Sequence, residues 1–220
     1  VAALAGFDHL TGWPDRAPNG PFGTITESLA ARFSAAALAA ALLRRRRTGQ
    51  GAYLDLSQVE AGVYALSPWL VEYQVTGVDR GRRGNRADRY APHGVFPCAG
   101  EDRWITLAVY TEPEWAHLAA EAGLARPEWA SVEGRLADVD ALEAAVGGWT
   151  AGLDALELAE RLQGLGIEAV PVADFGDANA DPQLRARGHY VALDHPVLGP
   201  GDYERNGIRL SGAPCGYLAP

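Results

Sequence analysis

Residues 29 to 43 form an alanine- and leucine-rich run whose only polar residues are Arg32 and Ser34, and that apolar content predicts a helix. Thr26 stands where an N-cap is expected, and Glu27 falls in the first turn, where the helix dipole favours negative charge. Arg44 to Arg47 complement the opposite pole, and Gly49 supplies the left-handed residue that stops the helix. The following "AYLDLS" (52–57) alternates as a short strand. Ser57 and Glu60 make an S-x-x-E capping box that opens a second helix to about Val75, kinked at Pro68. Ahead of all this, residues 1–25 are rich in glycine and proline ("TGWPDRAPNGPFG") and read as an irregular approach.

Residues 77–92 ("GVDRGRRGNRADRYAP") are polar, glycine-containing and arginine-rich, the pattern of an exposed loop between subdomains. The pattern then changes. "HGVFPC" and "RWITLAVY" are strand-like runs separated by the turn "AGED", and Thr111 with Glu114 caps the helix that follows. Helical patterns near 138–149 and 155–163, the second capped by Asp154, lead to a returning strand, "IEAVPV". Together these predict a small α/β unit from about 90 to 173. Beyond it Asp181 and Pro182 cap a short helix, and the tail suggests short strands and turns.

Composition narrows the classes. With 220 residues and 48% hydrophobic content the chain can bury a real core. A net charge of -9 disfavours nonspecific nucleic-acid binding, which needs a broad basic face. All 19 basic residues are arginine, so local arginine clusters remain available to an anionic small ligand. No run reaches the eighteen or so uninterrupted apolar residues of a membrane span, and "VAALAGFDHL" lacks a charged signal-peptide start. The expectation is a soluble, cytoplasmic protein with no membrane partner. Cys98 and Cys215 are too few for a disulfide scaffold, lie in no metal-ligand spacing and are expected to be buried thiols. No metal or resident cofactor is expected. With no methionine present, the natural start of translation is expected to lie outside this sequence.

No short catalytic motif stands out from the residues alone: there is no Walker loop, G-x-S-x-G, HExxH or complete dinucleotide fingerprint. "RRRRTGQG" ends a helix, whereas anions prefer helix starts, so dipole pairing explains it better than phosphate binding. Three longer segments are more telling: "AALLRRRRTGQGAYLDLSQVEAG", "RRGNRADRYAPHGVFPCAGEDRWITLAV" and "LGIEAVPVADFGDANADPQLRARGHY". In order, spacing and wording they resemble the class III CoA-transferases, the CaiB/BaiF family. The resemblance implies an α/β fold: a small α/β domain, linker helices and part of a Rossmann-like large domain. The corresponding ranges are 1–77 for the end of the large domain and linker helices, 78–173 for the small domain, and 174–220 for the C-terminal linker and return segment. It also implies an interlocked homodimer and a reaction that moves CoA, a substrate here, between an acyl-CoA and a carboxylic acid through an enzyme-bound anhydride.

In that family an aspartate just before the alanine-rich helix is the nucleophile, and here the matching segment reads "ITES", placing Glu27 there. Glutamate keeps the functional group and moves it outward by one methylene, and a displacement of about 1 Å can cost on the order of a hundredfold in rate. The competing role for Glu27 is support of the helix start, worth about 0.3–1 kcal/mol. The resemblance also makes "RRGNRADRYAPHG" (82–94) a loop covering the active site. Gly84 and Asn85 would then give mobility and an amide, Tyr90 and His93 would approach the acyl group or CoA, and Arg82, Arg83, Arg86 and Arg89 would attract CoA phosphates. For His93 local satisfaction at a strand start competes with this role, and a solvated charge run is the simpler reading of most loop arginines. The resemblance covers the later part of the family's length, so an N-terminal half, truncated or separate, is expected to be missing. Two other readings stay open: an α-methylacyl-CoA racemase relative, and a catalytically degenerate acyl-CoA-binding or assembly subunit.

Overall fold

Two short helices, α1 (Ala2–Ala5) and α2 (Phe7–Leu10), occupy the start of the segment expected to be irregular. One turn each is too short for a hydrophobic period to show in sequence. The computed structural model describes residues 1–21 and 23–212; Cys215 lies outside them. The chain divides into two units, Val1–Asp88 and Arg89–Pro220.

The first unit is built on α3 (Ile25–Thr48). Its C-terminus ends as expected, on Gly49 in the left-handed conformation, whose N–H donates to Arg45 O at 2.8 Å. Its N-terminus differs. Thr24, not Thr26, occupies the cap position, and its side chain makes no capping bond. Thr26 is inside the helix and only 2% exposed, because its methyl faces α4 (Gln58–Ala65) at Gly62. Burial of that methyl, a tertiary effect, outweighs the local preference of threonine for the cap.

Ser57 caps α4 by accepting from Glu60 N–H at 3.2 Å. The expected kink at Pro68 is a full break at Leu66: α5 (Ser67–Thr76) starts anew with Pro68 in its first turn, where proline's missing N–H is harmless. The "AYLDLS" strand is a correction. Residues 51–57 carry no strand, and Tyr53 is 92% exposed. A strand needs a neighbour for its ladder bonds, and among the described residues every strand belongs to the second unit.

A β-carbon at Gly62 would lie 2.8 Å from the Ala5 side chain and 3.3 Å from Phe7. We expect Gly62→Ala to destabilise this helical cluster by about 1–3 kcal/mol, read as a lower urea midpoint; an unchanged midpoint would refute the close packing.

Helix α3 is also the one helix among the described residues long and apolar enough, by length and composition, to cross a membrane. Alanine dominates it, rather than the leucine, isoleucine, valine and phenylalanine that gain most from lipid. Leu38, Leu42 and Leu43 on α3, and Trp69, Leu70 and Val71 on α5, are exposed.

The second unit opens with the expected hairpin, β1 (His93–Pro97) against β2 (Trp104–Ala108), Val95 facing Thr106. The box that caps α6 (Glu112–Ala122) is complete, with Thr111 and Glu114 each bonding the other's backbone N–H. A 3₁₀ turn (Pro127–Trp129) and α7 (Val132–Ala137), neither of which the sequence pattern announced, lead to α8 (Val139–Thr150). Asp154 caps α9 (Ala155–Gly164), accepting from the N–H groups of Leu156 and Glu157. Strand β3 (Glu168–Pro171) returns antiparallel to β2, giving the order β1-β2-β3.

One face of this sheet is covered. Ile105 and Leu107 alternate inward from β2, as a period of two requires, and Ala155, Leu158, Ala159 and Leu162 form the i, i+3, i+4, i+7 stripe of α9 that packs with them. Cys98 sits in this core, and burial, followed by the charge of Asp154, pushes its thiol up and leaves it unreactive. After α10 (Phe175–Ala180) and α11 (Pro182–Ala186), whose cap is Asp181, comes a separate hairpin of β4 (Tyr190–His195) and β5 (Gly199–Glu204).

Candidate active site

Glu27 is exposed in the first turn of α3. Its Oε2 accepts the buried Thr26 hydroxyl at 3.0 Å, so a residue locked by packing orients the carboxylate. Ser28 is the first residue to bond back along the helix, to Thr24 O at 3.0 Å. The amides of residues 25 to 27 precede that bond and form the positive end of the dipole at the carboxylate.

The 77–92 segment has no helix or strand, as expected, but it is not a free charge run. Arg80 pairs with both Glu72 and Asp88, and Arg83 also pairs with Asp88. The Glu72 hydrogen bond holds the Arg80 guanidinium above its ordinary value. Arg82 donates from Nε to Trp13 O and from Nη2 to Arg16 O, each at 3.3 Å. These arginines are occupied in pairing within their own unit, so a merely solvated run does not describe Arg82 and Arg83. For Arg82 the reason is proximity of the 12–16 segment, which no local pattern reveals, and for Arg83 it is Asp88 five residues on.

Gly84 is the pivot of this attachment. Its N–H donates to Gly12 O at 2.7 Å, its φ is +63°, and a β-carbon would lie 2.9 Å from Trp13 Nε1. Both the left-handed backbone and the indole demand glycine. Replacing Gly84 by alanine should cost about 1–3 kcal/mol locally and speed tryptic cleavage within 77–92 several-fold. An unaltered digestion rate would show that the contact does not hold the loop. Asn85 and Arg86 follow on the exposed side of this pivot.

Tyr90 and His93 belong to the second unit, and there they are brought together. Both rings stand edge-on to Tyr110, with centroids 4.9 Å and 6.4 Å away. Sequence reasoning missed Tyr110, Trp13 and Arg135. The first two had no motif to mark them, and Arg135 lies in α7, a helix the sequence pattern did not announce. Glu27, Gly84, Asn85 and Arg86 thus lie in the first unit and Tyr90 and His93 in the second. Among the described residues no group of three or more histidine, cysteine, aspartate or glutamate side chains could hold a metal ion.

A carboxylate on a helix start and a tethered glycine loop, in a chain that also folds a small antiparallel α/β unit, define a class that comparison with known proteins makes specific. The model of CoA-transferase family III matches residues 1–220, and the chain belongs to that family. It is 29% identical over 97% of its length to succinyl-CoA–D-citramalate CoA-transferase of Chloroflexus aurantiacus, matching 54% of that protein. Succinate–glutarate CoA-transferase of Agrobacterium fabrum is 26% identical over the whole chain, which matches 56% of it. Among solved structures, a CAIB/BAIF family protein from Brucella suis superposes with a TM-score of 0.85 at 26% identity, covering 96% of this chain and 55% of the other. The fold is therefore the mixed helix and sheet architecture of the CaiB/BaiF family. The chain spans about half the length of these relatives.

Proposed function

We propose that the chain is the central and C-terminal part of a CoA-transferase, with Glu27 as the group that carries first the acyl moiety and then CoA. The observation that carries this reading is the position of Glu27: exposed, oriented by buried Thr26 and set in the positive end of α3. A Glu27 oxygen adds to the thioester carbonyl and the CoA thiolate leaves, giving a mixed anhydride. The thiolate then adds to the Glu27 carbonyl and expels the first carboxylate, leaving CoA as a thioester on the enzyme. The acceptor carboxylate attacks that thioester, and the released thiolate attacks the acceptor side of the new anhydride. Acyl-CoA product departs and the Glu27 carboxylate is restored. In this reading the first-turn amides of α3 offset the negative charge that builds on the tetrahedral oxygen.

In this reading 78–173 is the small domain, 1–77 the end of the large domain with its linker helices, and 174–220 the returning linker. Gly84, Asn85, Arg86, Tyr90 and His93 form the loop that keeps water from the anhydride, and CoA is a substrate rather than a resident cofactor. The remainder of a CoA site is supplied by an N-terminal half. A homodimer is supported by the exposed apolar residues of α3 and α5, and a cytoplasmic location by the unpaired Cys98 thiol.

The test uses the full-length protein containing this chain, offered a panel of acyl-CoAs that includes succinyl-CoA, the donor in the name of the Chloroflexus relative. Hydroxylamine quenching and mass spectrometry should locate the adduct on Glu27. An adduct elsewhere, or none while CoA still binds, defeats the reading, and exchange of the α-proton without CoA transfer would assign the racemase chemistry instead.

A further inference from the structure

Glu27 presents two oxygens in different surroundings. Oε2 accepts the Thr26 hydroxyl at 3.0 Å, and among the described residues Oε1 has no hydrogen-bond donor. The residue is exposed, so Oε1 is the oxygen with lone pairs open to a reacting carbonyl.

The hydroxyl on Oε2 has little freedom to turn away. Thr26 is 2% exposed, and its methyl lies 3.4 Å from the point a β-carbon on Gly62 would occupy, a point that Ala5 and Phe7 crowd to 2.8 Å and 3.3 Å. Methyl and hydroxyl share one tetrahedral carbon, so packing that holds the first sets the direction of the second. All of these residues belong to the unit Val1–Asp88.

The consequence falls on the steps in which Glu27 is attacked rather than attacking. We propose that Thr26 is an oxyanion donor for the Glu27 carbonyl, a role that rests on the function proposed above. Once Oε1 has joined the acyl group, Oε2 is the carbonyl oxygen on the enzyme's side of the anhydride. The CoA thiolate adds to Cδ, the π pair moves onto Oε2, and the Thr26 O–H meets a negative charge in place of a neutral carbonyl oxygen. No proton moves. The pair then returns, the first carboxylate leaves with Oε1, and Oε2 remains as the carbonyl oxygen of the enzyme–CoA thioester. It takes the charge again when the acceptor carboxylate adds to Cδ and expels the CoA thiolate. A donor already aimed at the oxygen where charge develops needs no reorganisation, and a hydrogen bond to a charged acceptor is the stronger kind. The opening step runs the other way, because Oε2 loses charge as Oε1 attacks acyl-CoA.

The test isolates one attack on that carbonyl. The full-length enzyme is loaded to the Glu27–CoA thioester with succinyl-CoA, freed of excess substrate and discharged with hydroxylamine, with the released CoA thiol followed over time. Hydroxylamine nitrogen adds to Cδ, CoA thiolate leaves, and loss of a proton to solvent gives a hydroxamate on Glu27. This small nucleophile needs no positioning by the enzyme, so a residue that only orients the carboxylate or supports the fold leaves the rate alone. Thr26→Val keeps the shape and removes the hydroxyl; it should slow discharge about 10- to 100-fold and raise the thioester carbonyl stretching frequency in isotope-edited infrared spectra. Thr26→Ser keeps the hydroxyl and loses the methyl, and its discharge should stay within about threefold of wild type. Thr26→Ala carries the same comparison if Thr26→Val does not fold. A rate in the hydroxyl-less variant within about twofold of wild type, or an equal slowing in Thr26→Ser, overturns the oxyanion role and leaves the transferase reading in place. No Glu27 adduct in wild type overturns the transferase reading and this role with it.

Discussion

Glu27→Gln is expected to abolish CoA transfer by the full-length protein, lowering kcat by roughly 10³- to 10⁶-fold, the range seen when a covalent nucleophile is removed. The substitution preserves the shape of the side chain and its acceptor oxygen for the Thr26 hydroxyl, so α3 should start as before. It replaces an anionic oxygen that can attack a thioester with an amide that cannot. CoA binding should persist, because the substitution alters the reacting group rather than the length or packing of α3. Stopped reactions should contain no modified residue 27.

Glu27→Asp supplies the sharper comparison. Thr26 is held by packing against α4, so the backbone at residue 27 cannot drift freely to compensate for a missing methylene. A withdrawal of about 1 Å should leave adduct formation detectable but slower by on the order of a hundredfold. Transfer at the wild-type rate in Glu27→Gln would end the nucleophile assignment and leave Glu27 as a helix-start acid.

The second large effect is expected at Arg135, which is 1% exposed. Its guanidinium donates from Nε to Ala91 O at 2.8 Å, and from Nη1 to Trp129 O at 3.1 Å and Glu112 Oε2 at 2.9 Å. Nη2 reaches Glu112 Oε1 at 3.2 Å, and the group lies 4.9 Å from the centroid of the Trp115 ring. Arg135→Met keeps most of the volume but leaves two buried carbonyls without donors. The expected cost is about 2–4 kcal/mol, equivalent to a Tm lower by about 10 °C. A Tm within about 2 °C of wild type would show that water or a rearranged chain replaces those donors.

A pH signature accompanies it. The Glu112 carboxyl is held below the ordinary glutamate value, first by the Arg135 hydrogen bonds and then by Arg135 charge and the Val132 N–H, against an upward push from burial. Its folded value therefore lies below its unfolded one. The associated stability is fully present above the ordinary glutamate range and is lost as pH falls through the lowered value. Half of the Glu112 side chain is exposed, so water screens the pair and this pH-dependent part is small. The acid limb of the stability curve should nevertheless flatten in Arg135→Met.

Much of the second unit was legible in the sequence because its signals are local. Thr111, Asp154 and Asp181 cap helices through atoms three residues away, and the strands flanking the "AGED" turn show their alternation within five residues. Gly49 stops α3 for an equally local reason, its left-handed backbone. The position of Glu27 in a helical first turn was readable on the same grounds.

What the sequence could not decide was every feature whose partner is distant along the chain. "AYLDLS" has the alternation of a strand, but alternation does not supply the neighbour that a ladder requires. Thr26 has the chemistry of a cap, yet the methyl-sized space facing Gly62 made it a packing residue and gave Glu27 its oriented partner. Arg82 binds carbonyls nearly seventy residues earlier, and Arg135 binds one 44 residues earlier. Local pattern therefore determined which segments become helices and turns and where the carboxylate stands. Tertiary packing alone decided which polar groups are buried, how the arginine loop is tethered and which rings surround Tyr90, because burial and pairing depend on residues that only folding brings together.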